Sequence, residues 1–289
     1  MLNPVPKVAA IHDLSGYGRG SLTTVIEVLA TMGIQPCPLP TAILSTHTGG
    51  FKDYKFIDLT DELPEYIDHW NSLNLKFDAI YSGFLGSTKQ VEIVIDFIKR
   101  FKREEQYVII DPVLGDNGQT YDTFGLEMVE KMRSLVKQAD IITPNITEAQ
   151  FLLNEKENLI KTDETAKKWL KKLSDFGPKM VIITSVPGYK NKEKTSVLGY
   201  DKYDDRFWKV DCDYIPANFP GTGDLFTSIL VGSILKGDSL PMAIDRAVQF
   251  ISLAVRTTYG YDFPEREGVL LERILGNLNL PIHGKSYEL

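Results

Sequence analysis

The chain has 289 residues, 43% of them hydrophobic and 25% charged, with a formal net charge of −7. This composition supports a full globular core and carries no basic stripe or aromatic–basic interleaving of the kind nucleic-acid binding requires. Two cysteines, Cys37 and Cys212, make neither a disulfide framework nor a zinc site, and no apolar run approaches membrane-spanning length. The N-terminal residues lack a signal-peptide pattern, so a cytoplasmic protein is expected.

Lys7 to Ile11 reads as a buried strand, Asp13 to Ser21 as a glycine-rich loop, and Leu22 to Met32 as a helix stopped by Gly33. Gln35 to Leu44 is a second apolar run, broken by prolines, and Ser45 to Phe51 is polar and turn-like. Thr60 or Asp61 is placed to cap a helix ending near Leu73, and Asp78 to Tyr81 forms a short strand before Ser82-Gly83. Thr88 to Phe101 has Val91, Val94, Ile95 and Ile98 on one helical stripe. Tyr107 to Ile110 is a strand leading into Asp111-Pro112-Val113-Leu114-Gly115-Asp116. Phe124 to Val136 reads as helix, Ile141-Ile142 as strand, Thr147 to Leu153 and Thr162 to Ser174 as helices, and Met180 to Thr184 as strand. Thr195 to Tyr200 and Arg206 to Cys212 alternate like a hairpin. Three helices are expected near Asp224 to Leu235, Pro241 to Thr258 and Glu267 to Leu275, then a loose polar tail from Asn277.

The length allows one large α/β domain or two small ones, and alternating strands and helices predict a mostly parallel sheet covered on both faces. Such sheets bind ligands beyond the carboxyl ends of their strands. Asp13, Gly83, Asp111, Asn145 and Thr184 stand at five of those ends and point to one site along one edge.

The centre of that site is Gly221-Thr222-Gly223-Asp224, a turn that delivers a carboxylate at the start of an apolar helix. The free N–H groups of a new helix attract anions. Asp224 can take a proton from a hydroxyl while those N–H groups hold charge on a transferred phosphoryl group; the competing reading is a plain helix cap. Asp111 and Glu148 suit a hard cation such as Mg²⁺, against a turn residue and a capping residue as the structural alternative. Gly16-Tyr17-Gly18-Arg19-Gly20-Ser21 fails the dinucleotide fingerprint, which requires a third glycine in register and a later acid. Neither a P-loop nor a His-Glu-x-x-His motif is present, and the four histidines, among them His12 and His47, show no ligand spacing.

Taken in order, Asp111-Pro112-Val113-Leu114-Gly115-Asp116, Thr143-Pro144-Asn145-x-x-Glu148 and Gly221-Thr222-Gly223-Asp224-Leu225-Phe226 resemble the ribokinase superfamily, and within it the pyridoxal kinases. The resemblance runs from Val8 to about Thr258. It implies a single domain over residues 1–289 with a ribokinase-like three-layer α/β/α fold, a mostly parallel central sheet of about eight or more strands, and a homodimer. It also implies ATP-dependent phosphorylation of the 5′-hydroxymethyl of pyridoxal, pyridoxine or pyridoxamine, with Mg²⁺ and, as a further candidate, K⁺. Position by position it implies Asp224 as base, with Gly221, Thr222 and Gly223 as anion hole. Asp111 and Glu148 would be metal-water ligands, and Asp116, Asn145, Glu148, Thr184 and Ser185 nucleotide contacts. Asp13, Ser15, Thr48, Gly83 and Phe84 would face the vitamin. Many pyridoxal kinases carry serine where this chain has Asp13, and Asp13-Leu14-Ser15-Gly16 resembles the hydroxymethylpyrimidine kinases of thiamine biosynthesis. That enzyme, and a non-catalytic vitamin or nucleotide sensor on the same scaffold, are the alternatives.

Overall fold

Runs such as Val8–Ile11 and Val108–Ile110 offer no polar side for water, so layers must cover both faces of the strands they form. The computed structural model describes residues 4–121, 125–155, 160–189, 191 and 193–289. In chain order its elements are β1 (Lys7–Ser15), α1 (Ser21–Thr31), β2 (Gln35–Leu44), β3 (Phe56–Asp58), α2 (Leu63–Ser72), β4 (Ala79–Ser82), α3 (Thr88–Phe101), β5 (Tyr107–Ile110), β6 (Gly115–Asp116), β7 (Gln119–Thr120), α4 (Leu126–Val136), β8 (Ile141–Ile142), α5 (Ile146–Leu153), α6 (Asp163–Ser174), β9 (Met180–Pro187), β10 (Lys194–Asp201), β11 (Arg206–Asp213), α7 (Thr222–Leu235), α8 (Leu240–Tyr259) and β12 (Tyr287–Glu288).

Among the described residues ten strands form one sheet in the order β12-β11-β10-β9-β8-β5-β4-β1-β2-β3. The six from β9 to β2 run parallel, while β10, β11 and β12 at one edge and β3 at the other are antiparallel. Pro36, Pro38 and Pro40 lie where β2 has β1 on one side and no strand on the other, since β3 pairs only with Ala42–Leu44. An edge is where the missing proline N–H costs no ladder bond. One apolar cluster joins residues of α2 to α6 to one sheet face; the other joins residues of α1, α7 and α8 to the opposite face. The α3 stripe buries Val91, Val94, Phe97, Ile98 and Phe101, and Ser87 caps its start by accepting from the Gln90 N–H. Among the described residues no helix is long and apolar enough to cross a membrane.

Several expectations are corrected. β1 runs on to Ser15, so Asp13 and Ser15 are strand residues rather than loop residues. Glu62, not Thr60 or Asp61, precedes α2, because the Thr60 hydroxyl bonds Asp58 and accepts from Gln90 Nε2. Helix α4 begins at Leu126, and Phe124 lies outside the described residues. The expected third C-terminal helix is instead three short 3₁₀ segments, Glu265–Glu267, Leu271–Arg273 and Leu275–Asn279. The tail is anchored: β12 pairs with β11, and the Lys285 and Ser286 N–H groups donate to buried Asp245. The β6–β7 hairpin was not expected, although its two-residue loop, Asn117-Gly118 at φ +52° and +79°, is the pair such a turn favours.

Candidate active site

The parallel strands deliver Asp13 and Ser15 (β1), Gly83 (just past β4), Asp111 (just past β5) and Thr184 (β9) to one edge of the sheet. Asn145 follows β8 and bridges to Thr184. The start of α7 faces them. Gly221 holds φ +82°, and a Cβ there would lie 2.1 Å from the Arg19 carbonyl oxygen, so only glycine lets this turn press against the first loop. Thr222 Oγ1 donates to the Phe219 carbonyl. Asp224 then falls in the first helical turn, where charge on a carboxylate is favoured by the dipole.

Ser21 ties two acids together. Its N–H donates to Asp224 Oδ2 at 2.7 Å, and its hydroxyl donates to Asp13 Oδ1 at 2.6 Å. Ser15 donates to the other Asp13 oxygen at 3.0 Å. Burial pushes the Asp13 carboxyl up, against the pull of the Ser21 and Ser15 hydrogen bonds. Desolvation pushes Asp224 up to about 7; the Ser21 N–H opposes this and the charge of Asp13 adds to it. That value suits a general base working near neutral pH.

Asp111 is buried and accepts from Thr227 Oγ1 at 3.3 Å, and Thr227 in turn hydrogen-bonds Thr143. Burial, then the charge of Asp224, raises Asp111; burial, then the charge of Asp111, raises Glu148. Glu148 completes a capping box with Asn145 and also accepts from the Leu114 N–H. Three acids that oppose one another's ionisation are a seat for positive charge. Among the described residues no group of three His, Cys, Asp or Glu forms a complete cation site. The donor set nevertheless fits Mg²⁺, which keeps several waters and combines one or two carboxylates with substrate phosphates.

The remaining expected residues are spread more widely. Asn145 spends its side chain on the cap and on the Gly115 carbonyl. Asp116 is exposed on the hairpin and accepts from the Asn117 N–H. Ser185 is exposed with φ +56°, an uncommon conformation outside glycine. Thr48 is exposed, in a loop whose Gly49 abuts Pro220 beside the Gly221 turn. Phe84 is partly buried and packs against the apolar cluster that joins α2 to α6 to the sheet.

The profile of the phosphomethylpyrimidine kinase family matches residues 21–267. Human pyridoxal kinase is 30% identical over 267 residues, covering 86% of this chain and 83% of its own. The chain belongs to the pyridoxal kinase family. The Dictyostelium discoideum pyridoxal kinase is 28% identical, with 88% and 87% covered. A Bacteroides thetaiotaomicron protein bearing the name phosphomethylpyrimidine kinase is 53% identical, with a TM-score of 0.97 over 100% of this chain and 99% of that one. Its orthorhombic form, crystallised with pyridoxal, gives 0.95 over 99% and 100%. The sheet order and helix layers of this pyridoxal kinase family member are those expected of the ribokinase-like fold.

Sequence reasoning missed Ser21, Thr227 and Thr143. Ser21 stood in the glycine-rich loop, but nothing local indicates that its N–H and hydroxyl face acids 203 and 8 residues away. Thr227 lies one helical turn after Asp224, a spacing that could have suggested a shared face. Tyr121 was missed too; although 41% of its surface is exposed, partial desolvation, then the charges of Glu148, Asp116, Asp111 and Asp224, hold its phenol above the ordinary range.

Proposed function

We propose that the protein transfers the γ-phosphoryl group of ATP to the 5′-hydroxymethyl of a B6 vitamer. The observation that carries this reading is the Asp224 carboxylate, pushed up to about 7, in the first turn of α7 behind the Gly221 turn. Asp224 accepts the proton of the attacking hydroxyl, and the N–H groups of Gly221 to Gly223 hold charge on the phosphoryl group, since phosphoryl transfer depends on positioning and electrostatics. Asp13, with Ser15 and Ser21 on its two oxygens, meets the pyridine nitrogen or the ring substituents. Thr48, Gly83 and Phe84 border the ring, and Asp116, Asn145, Thr184 and Ser185 lie toward the nucleotide. Asp111 and Glu148 would hold Mg²⁺ and its waters. When bound, this ion supplies neutralisation of phosphate charge, with K⁺ a candidate second ion. The active form would be a cytoplasmic homodimer of one-domain subunits; exposed Ile43, Phe56 and Ile57 at the β2–β3 edge are compatible with a partner there.

The second reading is a hydroxymethylpyrimidine kinase, favoured by the matching family profile and by Asp13. Pyridoxal in the crystals of the 53% identical relative supports the first. Steady-state ATP turnover with pyridoxal, pyridoxine, pyridoxamine and hydroxymethylpyrimidine, with Mg²⁺ and with or without K⁺, separates them. Asp224→Ala should lower kcat by about 10² to 10⁴ with the fold intact; wild-type turnover by that variant would remove Asp224 from the mechanism.

A further inference from the structure

His12 on β1 is completely buried, and neither ring nitrogen has a hydrogen-bond partner. Buried polar groups are nearly always paired, so an orphan beside a reactive centre calls for an explanation. Burial holds its pKa down at about 3, which leaves a neutral ring with one N–H donor at physiological pH. Two contacts fix that ring. Tyr81 meets it edge to face, with centroids 4.4 Å apart. A Cβ on Gly83 would lie 2.2 Å from Nδ1, so the absent side chain of residue 83 is what makes room for the ring.

Nδ1 of His12 stands 3.7 Å from Asp224 Oδ1, while the other carboxylate oxygen already accepts the Ser21 N–H at 2.7 Å. We infer that His12 is a positioning residue: in the substrate complex its Nδ1–H donates to Asp224 Oδ1 and, with Ser21, fixes the plane of that carboxylate against the substrate hydroxyl. Reaching about 2.9 Å takes less than about 1 Å of side-chain movement. Hydrogen bonds at catalytic groups are commonly long before substrate arrives. With one oxygen held by Ser21 and the other by His12, each keeps a lone pair free, and the attacking hydroxyl meets a carboxylate that cannot rotate away. The inference rests on Asp224 being the base.

The test is steady-state kinetics with pyridoxal and Mg²⁺-ATP on His12→Leu, His12→Gln, His12→Asn, Asp224→Asn and the His12→Gln/Asp224→Asn double variant, with thermal melts alongside. Asn carries its amide nitrogen close to where Nδ1 stands, whereas Gln carries it one bond further. Leu and Gln should lower kcat by about 10- to 100-fold, the range of a hydrogen bond to a charged group, with both KM values within about twofold. Asn should recover kcat to within about threefold. Against the Asp224→Asn background, Gln at 12 should cost nothing further, because the two act as one unit. Wild-type kcat in the Leu variant, equal losses for Asn and Gln, a change in KM alone, or multiplying losses in the double variant would each overturn the role of His12. If Leu fails to fold, the Asn–Gln comparison decides. Wild-type turnover by Asp224→Asn would instead overturn the base assignment, and the inference with it.

Discussion

Gly221→Ala is the sharpest test of how the site is built. At φ +82° an alanine costs about 1–2 kcal/mol in backbone strain. Its Cβ would also stand 2.1 Å from the Arg19 carbonyl oxygen and 3.0 Å from the Gly20 Cα, both backbone atoms. Ordinary contact is about 3.5 Å, so the two loops must part by more than about 1 Å. The segment pushed away is the one whose next residue, Ser21, gives its N–H to Asp224. Displacement of about 1 Å at a reacting group costs about 10²-fold in rate. The control is Gly33→Ala, at φ +81° with nothing within 4 Å of the added carbon, which carries the strain and not the clash. ATP turnover with pyridoxal, followed with thermal melts, should show Gly33→Ala losing only the stability that the strain costs, and Gly221→Ala losing more stability and about 10² in kcat. Turnover by Gly221→Ala within threefold of wild type, or an equal loss in Gly33→Ala, would refute the account of the turn.

Asp224 must be ionised to accept a proton, and its raised pKa means that this form dominates only above about 7; kcat/KM should fall about tenfold per pH unit below that, and a flat profile from pH 5.5 to 8 would contradict it. Folding retains protons on Asp111 and Asp224 that the unfolded chain has already lost, so stability should fall as pH rises from about 5 to 8. Asp111→Asn should therefore abolish most activity yet raise Tm of the nucleotide-free protein at pH 8 by about 2 °C, the scale of about 1 kcal/mol; a lower Tm in calorimetry would show the buried charge is no burden. Ser21→Ala keeps the N–H to Asp224 and loses the hydroxyl to Asp13, so vitamer KM should rise about tenfold, the scale of a hydrogen bond to a charged group, with kcat nearly unchanged. Deleting residues 285–289 leaves buried Asp245 without two amide donors and should cost about 2–3 kcal/mol in denaturant unfolding.

The layers of this protein were legible locally. Thr88–Phe101 and Tyr107–Ile110 fall where periodicity put them, because a stripe of apolar residues three and four apart, or an unbroken apolar run, has one way to bury itself. The glycines of 221 to 223 marked a tight turn, and the sequence order of Asp111, Glu148 and Asp224 indicated the family. The C-terminal region resisted the same treatment. Residues 265–279 have helical composition but form short 3₁₀ turns against α1 and α8, and the polar tail is held by Asp245, a partner forty residues earlier that no local pattern reveals. What sequence alone determined was which strand ends carry acids and where the Gly-Thr-Gly turn lies, since each depends on a few adjacent residues. What only the tertiary structure decided was the coupling among them: Ser21 between Asp13 and Asp224, Thr227 on Asp111, and His12 over Gly83. These contacts join β1, the strand-end loops and α7, elements up to about two hundred residues apart in the chain, and the burial that sets their proton affinities exists only once both layers have closed over the sheet.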